Sequence, residues 1–217
     1  MKKLFLAALS VFMILVLTGC GSGGGNNGPV FVTTDILSDP FYDGDIQRDP
    51  VTGLFTVTQG DTQSVFAGIH PTSGVEFRAF LDFHLGSVPR DALIDSAFLD
   101  IFISSINPQP LIGTIPLRVD LVSFQPPDLF VRDFDLNLQP ALATITVIPP
   151  ISQADFGRHV TIDVTRLMDE AQFLGLVDFQ VRIMEDLGIV TPGLIEINDT
   201  TGVNRGILAP LLTVTYF

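Results

Sequence analysis

Apolar and polar residues alternate with a period of two over long stretches of this chain, the pattern of strands with one buried face. Over residues 75–84, Val75, Phe77, Ala79, Leu81 and Phe83 take one side, and Glu76, Arg78, Phe80, Asp82 and His84 the other. Leu117, Val119 and Leu121 alternate with Arg118 and Asp120. Val160, Ile162 and Val164 alternate with Thr161 and Asp163. Val177, Phe179, Val181 and Ile183 alternate with Asp178, Gln180 and Arg182, and the pattern returns over 211–217 with Thr213 and Thr215. Further strands are predicted over 30–34, 54–58, 64–69, 97–104, 142–148 and 194–198. The charged members of these strands, such as Glu76 with Arg78 and Arg118 with Asp120, are expected to face solvent. Exposed ion pairs there add little stability but discourage edge-to-edge pairing.

Turn formers separate these runs: Pro71-Thr72-Ser73-Gly74, Asn107-Pro108-Gln109-Pro110, Pro126-Pro127-Asp128, Pro149-Pro150 and Thr201-Gly202. About ten short strands so punctuated predict an all-β sandwich or barrel. One segment breaks the rhythm. Thr165 is placed to cap a short helix near 165–174, with Leu167, Met168, Ala171 and Leu174 inward and Gly175 beyond its end. No internal repeat or second boundary divides residues 30–217, which are expected to form a single domain.

The N-terminus follows a different logic. Lys2 and Lys3 precede an apolar run over 4–17, which is shorter than the roughly 20 residues a helix needs to cross a bilayer. It reads as a secretory signal over 1–19. The run closes on Leu17-Thr18-Gly19-Cys20, which resembles the bacterial lipobox, and Cys20 is the only cysteine in the chain. The resemblance implies cleavage before Cys20, acylation of its thiol and membrane anchoring through several acyl chains. Two or more chains hold a protein stably. An unpaired thiol would be a liability in an oxidising compartment, and lipidation explains its presence. The stretch over 20–29, rich in Gly and Asn, has the composition of a flexible tether. Gly21 follows the cysteine where aspartate would signal inner-membrane retention, so the resemblance points to the outer membrane.

Charge narrows the partners. Acidic residues number 24 against 11 basic ones, for a formal net charge of −13, and beyond Lys2 and Lys3 every basic residue is an arginine. Such a body is repelled by nucleic acid and by anionic headgroups. The densest oxygen cluster is Asp35, Asp39, Asp43, Asp45 and Asp49. Calcium takes six to eight hard oxygen ligands, and aspartates on a tight loop can supply several. Asp39, Asp43, Asp45 and Asp49 are therefore the candidate ligands of a structural Ca²⁺, weighed against a solvated acidic turn. No glutamate closes an EF-hand pattern. The polar segment over 198–205 is a ligand-contacting rim or an ordinary connection. His70, His84 and His159 lack metal-motif spacing and are expected at the surface. The G-x-S-x-G elbow, the P-loop and a strand-linked G-x-G-x-x-G are missing, and no catalytic activity is expected.

Three further stretches occur in order. They are Arg78-Ala79-Phe80-Leu81-Asp82-Phe83 leading to Val88-Pro89-Arg90-Asp91-Ala92-Leu93-Ile94-Asp95-Ser96-Ala97-Phe98-Leu99, then Ile162-Asp163-Val164-Thr165-Arg166-Leu167, then Pro210-Leu211-Leu212-Thr213-Val214-Thr215-Tyr216. Together they resemble the DNRLRE domains of secreted bacterial proteins, over residues 75 to 217. The resemblance implies a jelly-roll β-sandwich, in some members a carbohydrate-binding module. The chain departs from that pattern by having no tryptophan, and Tyr only at 42 and 216. Sugar-binding faces favour Trp and Tyr, which pair an apolar ring with a polar handle. The expected role is thus structural or interactive, with an envelope protein as partner. The alternative is a surface glycan-binding module with a polysaccharide partner. That alternative expects a concave sheet face lined by Phe80, Phe98 and Phe102.

Overall fold

The computed structural model describes residues 28–108, 113–124, 128–186 and 192–217. The signal, Cys20 and most of the tether lie outside these residues, as do parts of the turns at 107–110 and 126–128. Among the described residues there are fourteen strands: β1 (Val32–Leu37), β2 (Gly44–Arg48), β3 (Phe55–Gln59), β4 (Ser64–Ile69), β5 (Glu76–His84), β6 (Ile94–Pro108), β7 (Thr114–Ile115), β8 (Leu117–Val122), β9 (Ala143–Thr146), β10 (Ile151–Ser152), β11 (His159–Asp163), β12 (Asp178–Glu185), β13 (Gly193–Asn198) and β14 (Leu211–Tyr216). Two α-helices accompany them, α1 (Thr165–Phe173) and the single turn α2 (Arg205–Leu208). The protein is an all-β sandwich. Every strand predicted from the sequence is found within a few residues of its expected place.

Twelve strands make one curled antiparallel sheet in the order β1-β14-β6-β13-β4-β5-β12-β8-β9. β11 pairs with β6, β2 pairs with β5, and β3 pairs with β2. The 15-residue β6 is the hinge of the curl. Its first half pairs with β14 and β11, and its second half with β13. The enclosed face is the apolar one that the alternation marks. Ala97, Leu99, Ile101, Leu212 and Val214 meet Ala79, Leu81, Phe83, Leu117, Val119, Leu121, Phe179, Val181 and Ile183 in one core. α1 packs against β6, β8 and β9 and adds Leu167, Met168 and Ala171. Residues Phe31–Phe217 form one compact unit.

The helix start differs from expectation. Thr165 is the first helical residue, and the cap is Val164, with no side-chain bond. Asp163 instead accepts the Thr165 N–H at 3.0 Å, while Thr165 Oγ1 accepts the Ala97 N–H at 3.0 Å and ties the helix to β6. The end is as the sequence predicts. Gly175 has φ +64, the left-handed conformation that closes a helix, and Leu176 N–H bonds back to Ala171 O.

The larger correction concerns the polar side of β5, β12 and β8. These positions do not face solvent. Arg78, Asp82, Asp120, Gln180 and Arg182 are all buried. The segment over 128–139 covers them, and Phe124, Leu129 and Phe134 pack against Ile46, Phe80 and Val122 of the sheet in a second apolar cluster. Register places Phe80, Arg182 and Asp120 abreast on neighbouring strands. Arg182 donates to Asp120 Oδ2 through Nε at 3.2 Å and Nη2 at 2.7 Å, and through Nη1 to Asp133 O at 3.2 Å and Gln139 O at 3.0 Å. Asp120 also accepts from Thr144 at 2.8 Å and Arg118 at 3.1 Å. Arg78 lies 3.8 Å above the Phe134 ring, bonds Glu76 at 2.6 Å and donates to Phe134 O. The arginines thus fasten the 128–139 segment by its backbone carbonyls. Alternation identifies two faces of a strand, but it cannot tell a solvated face from one that a distant loop covers.

Breaking a buried pair leaves a buried charge uncompensated. Arg182→Met is expected to cost about 3–5 kcal/mol in urea unfolding. Replacing both partners, Arg182→Met with Asp120→Leu, is expected to recover most of that loss. An Arg182→Met protein as stable as the parent would contradict this account of the buried pair.

Candidate functional site

Two polar constellations stand out near β2, and both depend on a strand absent from the sequence expectations. Residues 43–49 read as an acidic turn. In the structure, Gly44–Arg48 is β2, inserted between β3 and β5. Gly44 is what permits the insertion. A Cβ there would lie 2.3 Å from Thr58 O, so only glycine lets the strands close up.

β2 scatters the five aspartates. Asp35 sits on β1 and accepts from Thr213 at 2.7 Å, part of an exposed polar ladder with Thr33 and Thr215. Asp39 and Asp49 close local turns, accepting the N–H groups of Phe41 at 2.9 Å and Val51 at 2.7 Å. Turn bonds from the Thr52 and Val51 N–H groups hold the Asp49 carboxyl below the usual range. Asp43 and Asp45 are buried. Among the described residues, no three His, Cys, Asp or Glu side chains converge on a point suited to a metal ion. Asp39, Asp43, Asp45 and Asp49 therefore do not share one centre.

What the structure brings together instead is a buried carboxyl network that sequence proximity does not show. Asp43 meets Asp199, and burial together with the neighbouring Asp199 charge pushes the Asp43 carboxyl well up. Asp199 is itself raised by burial, but Arg205 at 3.0 Å and Thr62 at 3.1 Å favour its ionised form. Asp43 Oδ1 accepts the Asp82 N–H at 2.8 Å. Burial raises Asp82 to about 6, and Gln180 Nε2 bonds it at 2.6 Å. Burial likewise raises Asp45 to about 6, although the Phe66 N–H bonds it at 3.2 Å. Arg205 reaches on to the carbonyl of Ser38, so the 198–205 segment is a clasp between β13 and the chain near β1. The sequence marks Asp199 and Arg205 only as part of the polar 198–205 segment and does not connect them to Asp43 or Asp82. No local signal joins them, since residues 43, 82 and 199 meet solely through the topology.

The second constellation is an open cleft of about 410 Å³ between the β2–β3 turn and the 134–137 segment. Arg48, Phe55, Phe134, Asp135 and Asn137 line it, with Arg78 at the inner end. Phe55 is 37% exposed and meets Phe134 edge-on at 5.2 Å. Asp135 accepts the Asn137 N–H at 2.8 Å, which keeps its carboxyl ionised and its pKa lowered. The cleft offers an apolar ring, two arginines, a carboxylate and an amide, and so suits a ligand with hydroxyl or acidic groups on an apolar frame.

The expected triad of Phe80, Phe98 and Phe102 forms no common face. Phe80 is buried against Phe124 at 5.8 Å in the second apolar cluster, whereas Phe98 and Phe102 lie on β6 opposite β11. The histidines are peripheral. His84 pairs with Asp178 at 2.9 Å, His159 bonds Asp100, and His70 accepts turn N–H groups from Thr72 and Ser73. Compared with known proteins, the chain matches no family model, and no curated protein matches it significantly.

The raised carboxyls set a pH dependence. A carboxyl whose pKa is higher folded than unfolded binds protons more tightly in the native state. Its contribution is complete below about pH 4 and is lost as pH rises through the folded value. For Asp45 and Asp82 the window is from about 4 to about 6. The lowered Asp49, Asp135 and Asp163 act in the opposite sense and lose their contribution as pH falls. Melting temperature is therefore expected to peak in mildly acidic buffer and to decline toward pH 8. Asp82→Asn retains an acceptor for Gln180 and is expected to flatten the decline. It should raise stability at pH 8 by about 1–3 kcal/mol. Calorimetry of both proteins between pH 4 and 8 checks this, and parallel curves would contradict it.

Proposed function

We propose that this protein is a lipid-anchored envelope or cell-surface protein with a structural or interaction role and no catalytic activity. The observation that carries this reading is Leu17-Thr18-Gly19-Cys20, with Cys20 the sole cysteine and a Gly/Asn-rich stretch between it and the β-sandwich. The carboxyls with the strongest shifts support it. Asp43, Asp45, Asp82 and Asp199 are buried and engaged by Asp82 N–H, Phe66 N–H, Gln180, Thr62 and Arg205, a bonding pattern suited to holding elements together. The net charge of −13 argues against nucleic acid as a partner. By resemblance, the membrane is the outer one and the domain family is DNRLRE.

A second reading, a glycan-binding module, is favoured by the cleft. Phe55 offers a ring, and Arg48, Asp135 and Asn137 offer hydrogen bonds around it. That reading includes a structural calcium ion, for which the described residues present no single carboxylate cluster.

Cys20→Ser is expected to leave the protein unacylated by intact mass and to move it from the membrane to the soluble fraction of the expressing bacterium. A Cys20→Ser protein that stays in the membrane would overturn the anchor. Pull-down on insoluble polysaccharides, with and without calcium, separates the two roles. Binding abolished by Phe55→Ala and Arg48→Ala establishes the glycan module, and absence of binding across the panel leaves the structural role. A rise in melting temperature with added calcium is the result that a structural ion requires.

A further inference from the structure

One end of the sandwich carries an apolar surface that neither core cluster uses. Phe31 is 53% exposed and meets Phe217, 43% exposed, edge-on at 5.3 Å. Leu93 exchanges both backbone hydrogen bonds with Phe217 and is 61% exposed. Leu93 and Phe173 line the same shallow depression, and Phe173, at the last turn of α1, is 84% exposed. Leu174 is exposed beside it. These side chains come from the chain entering β1, the loop before β6, α1 and the C-terminus. No local sequence pattern groups them, and a folded monomer rarely leaves so many large apolar groups together.

The position of this surface identifies its occupant. Phe31 is the residue at which the N-terminal segment enters the compact unit. Residues 21–30 are all that separate it from Cys20. Even fully extended, about ten residues span only about 35 Å. A surface so close to an acyl anchor meets the bilayer at an effective concentration in the millimolar range, where contacts too weak to act in free solution suffice. The rim sets Arg90 beside Asp91 and Asp169. It has no basic cluster to draw it to anionic lipid, and the acidic body opposes such lipid.

We propose that Phe31, Leu93, Phe173, Leu174 and Phe217 form a membrane-docking surface that seats this end of the sandwich in the interfacial region of a zwitterionic phospholipid bilayer. The proposal rests on the Cys20 anchor described above. The anchor then sets more than location. The docked end orients the molecule, with the second half of β6 and the 153–157 turn beside it directed away from the lipid.

The absence of tryptophan makes the test direct. Phe173→Trp places a single indole in the surface. Phe156→Trp places one beside the second half of β6, where Gly157 and Arg158 bond the backbone of Ile103. Both sites are exposed, and circular dichroism melts confirm folding of each variant. The acylated full chains are reconstituted in vesicles of phosphatidylcholine and phosphatidylethanolamine with and without brominated acyl chains. Emission from the Phe173→Trp protein is expected to shift to the blue and to lose about half its intensity to the bromines, as a side chain seated about 5–10 Å into the interface would. Emission from the Phe156→Trp protein stays unquenched. Equal quenching of the two variants, or none in either, overturns the proposal. A blue shift that depends on protein concentration and persists in detergent also overturns it, and assigns the surface to a second copy of the chain. Intact mass distinguishes the two levels. An acylated Cys20 with an unquenched indole at position 173 removes the docking alone, whereas an unmodified Cys20 removes the anchor and the docking together.

Discussion

The ion pair between Arg182 and Asp120 is the constraint on which the outer half of this structure depends. Both side chains are fully buried on strands that pair side by side. Neither charge is tolerable there alone, because the cost of removing it from water exceeds what packing returns. Each is therefore surrounded. Arg182 directs its remaining donors to the carbonyls of Asp133 and Gln139, and Asp120 accepts from Thr144 and Arg118. These bonds specify where the 128–139 segment must lie. Arg78, over the Phe134 ring, repeats the device nearby on β5. A loop that could drift if held only by apolar contacts is thus fixed by directional bonds. The cleft between Phe55 and Asn137 inherits its shape from that fixation.

The carboxyl network plays a comparable part on the other side of β2. Asp43, Asp82 and Asp199 come from three distant stretches and connect the chain near β1, β5 and the segment before α2. Burial raises their proton affinity, so the native state at neutral pH carries a cost that the hydrogen bonds from Gln180, Thr62 and Arg205 offset in part. The acidic composition therefore has two components. Asp35, Asp39 and Asp49 belong to exposed ladders and turns. Asp43, Asp45 and Asp82 are interior and help fix how β2, β4 and β5 meet.

Much of the fold is legible in the chain. Residues 64–69 are a strand in both readings, and the run over 75–84 becomes β5 with the loss of one residue. Apolar alternation is a local consequence of the pleat, so it survives without knowledge of neighbours. β2 escapes a sequence reading because Gly-Asp-Ile-Gln-Arg has a single apolar residue and sits among turn formers. It becomes a strand because β3 and β5 flank it and Gly44 lets them approach. β7 and β10 escape because two residues carry no period. The candidate site is barely legible. Proximity to Asp39 and Asp49 marks Asp43 and Asp45, yet their partners are Asp199 and the Phe66 backbone.

The sequence by itself determined which side chains alternate, where the chain turns, the helix over 165–173, and that Cys20 is the chain's only thiol. All of these are properties of neighbouring residues. Only the tertiary structure decided that the polar face of β5, β12 and β8 is interior, that Phe80 is buried while Phe98 is not, and that Asp43 meets Asp199. It alone gathered Phe31, Leu93, Phe173 and Phe217 at one end of the sandwich. The physical reason is common to all these cases. Burial depends on what covers a side chain, and here the covering segments lie tens of residues away from the strands they cover.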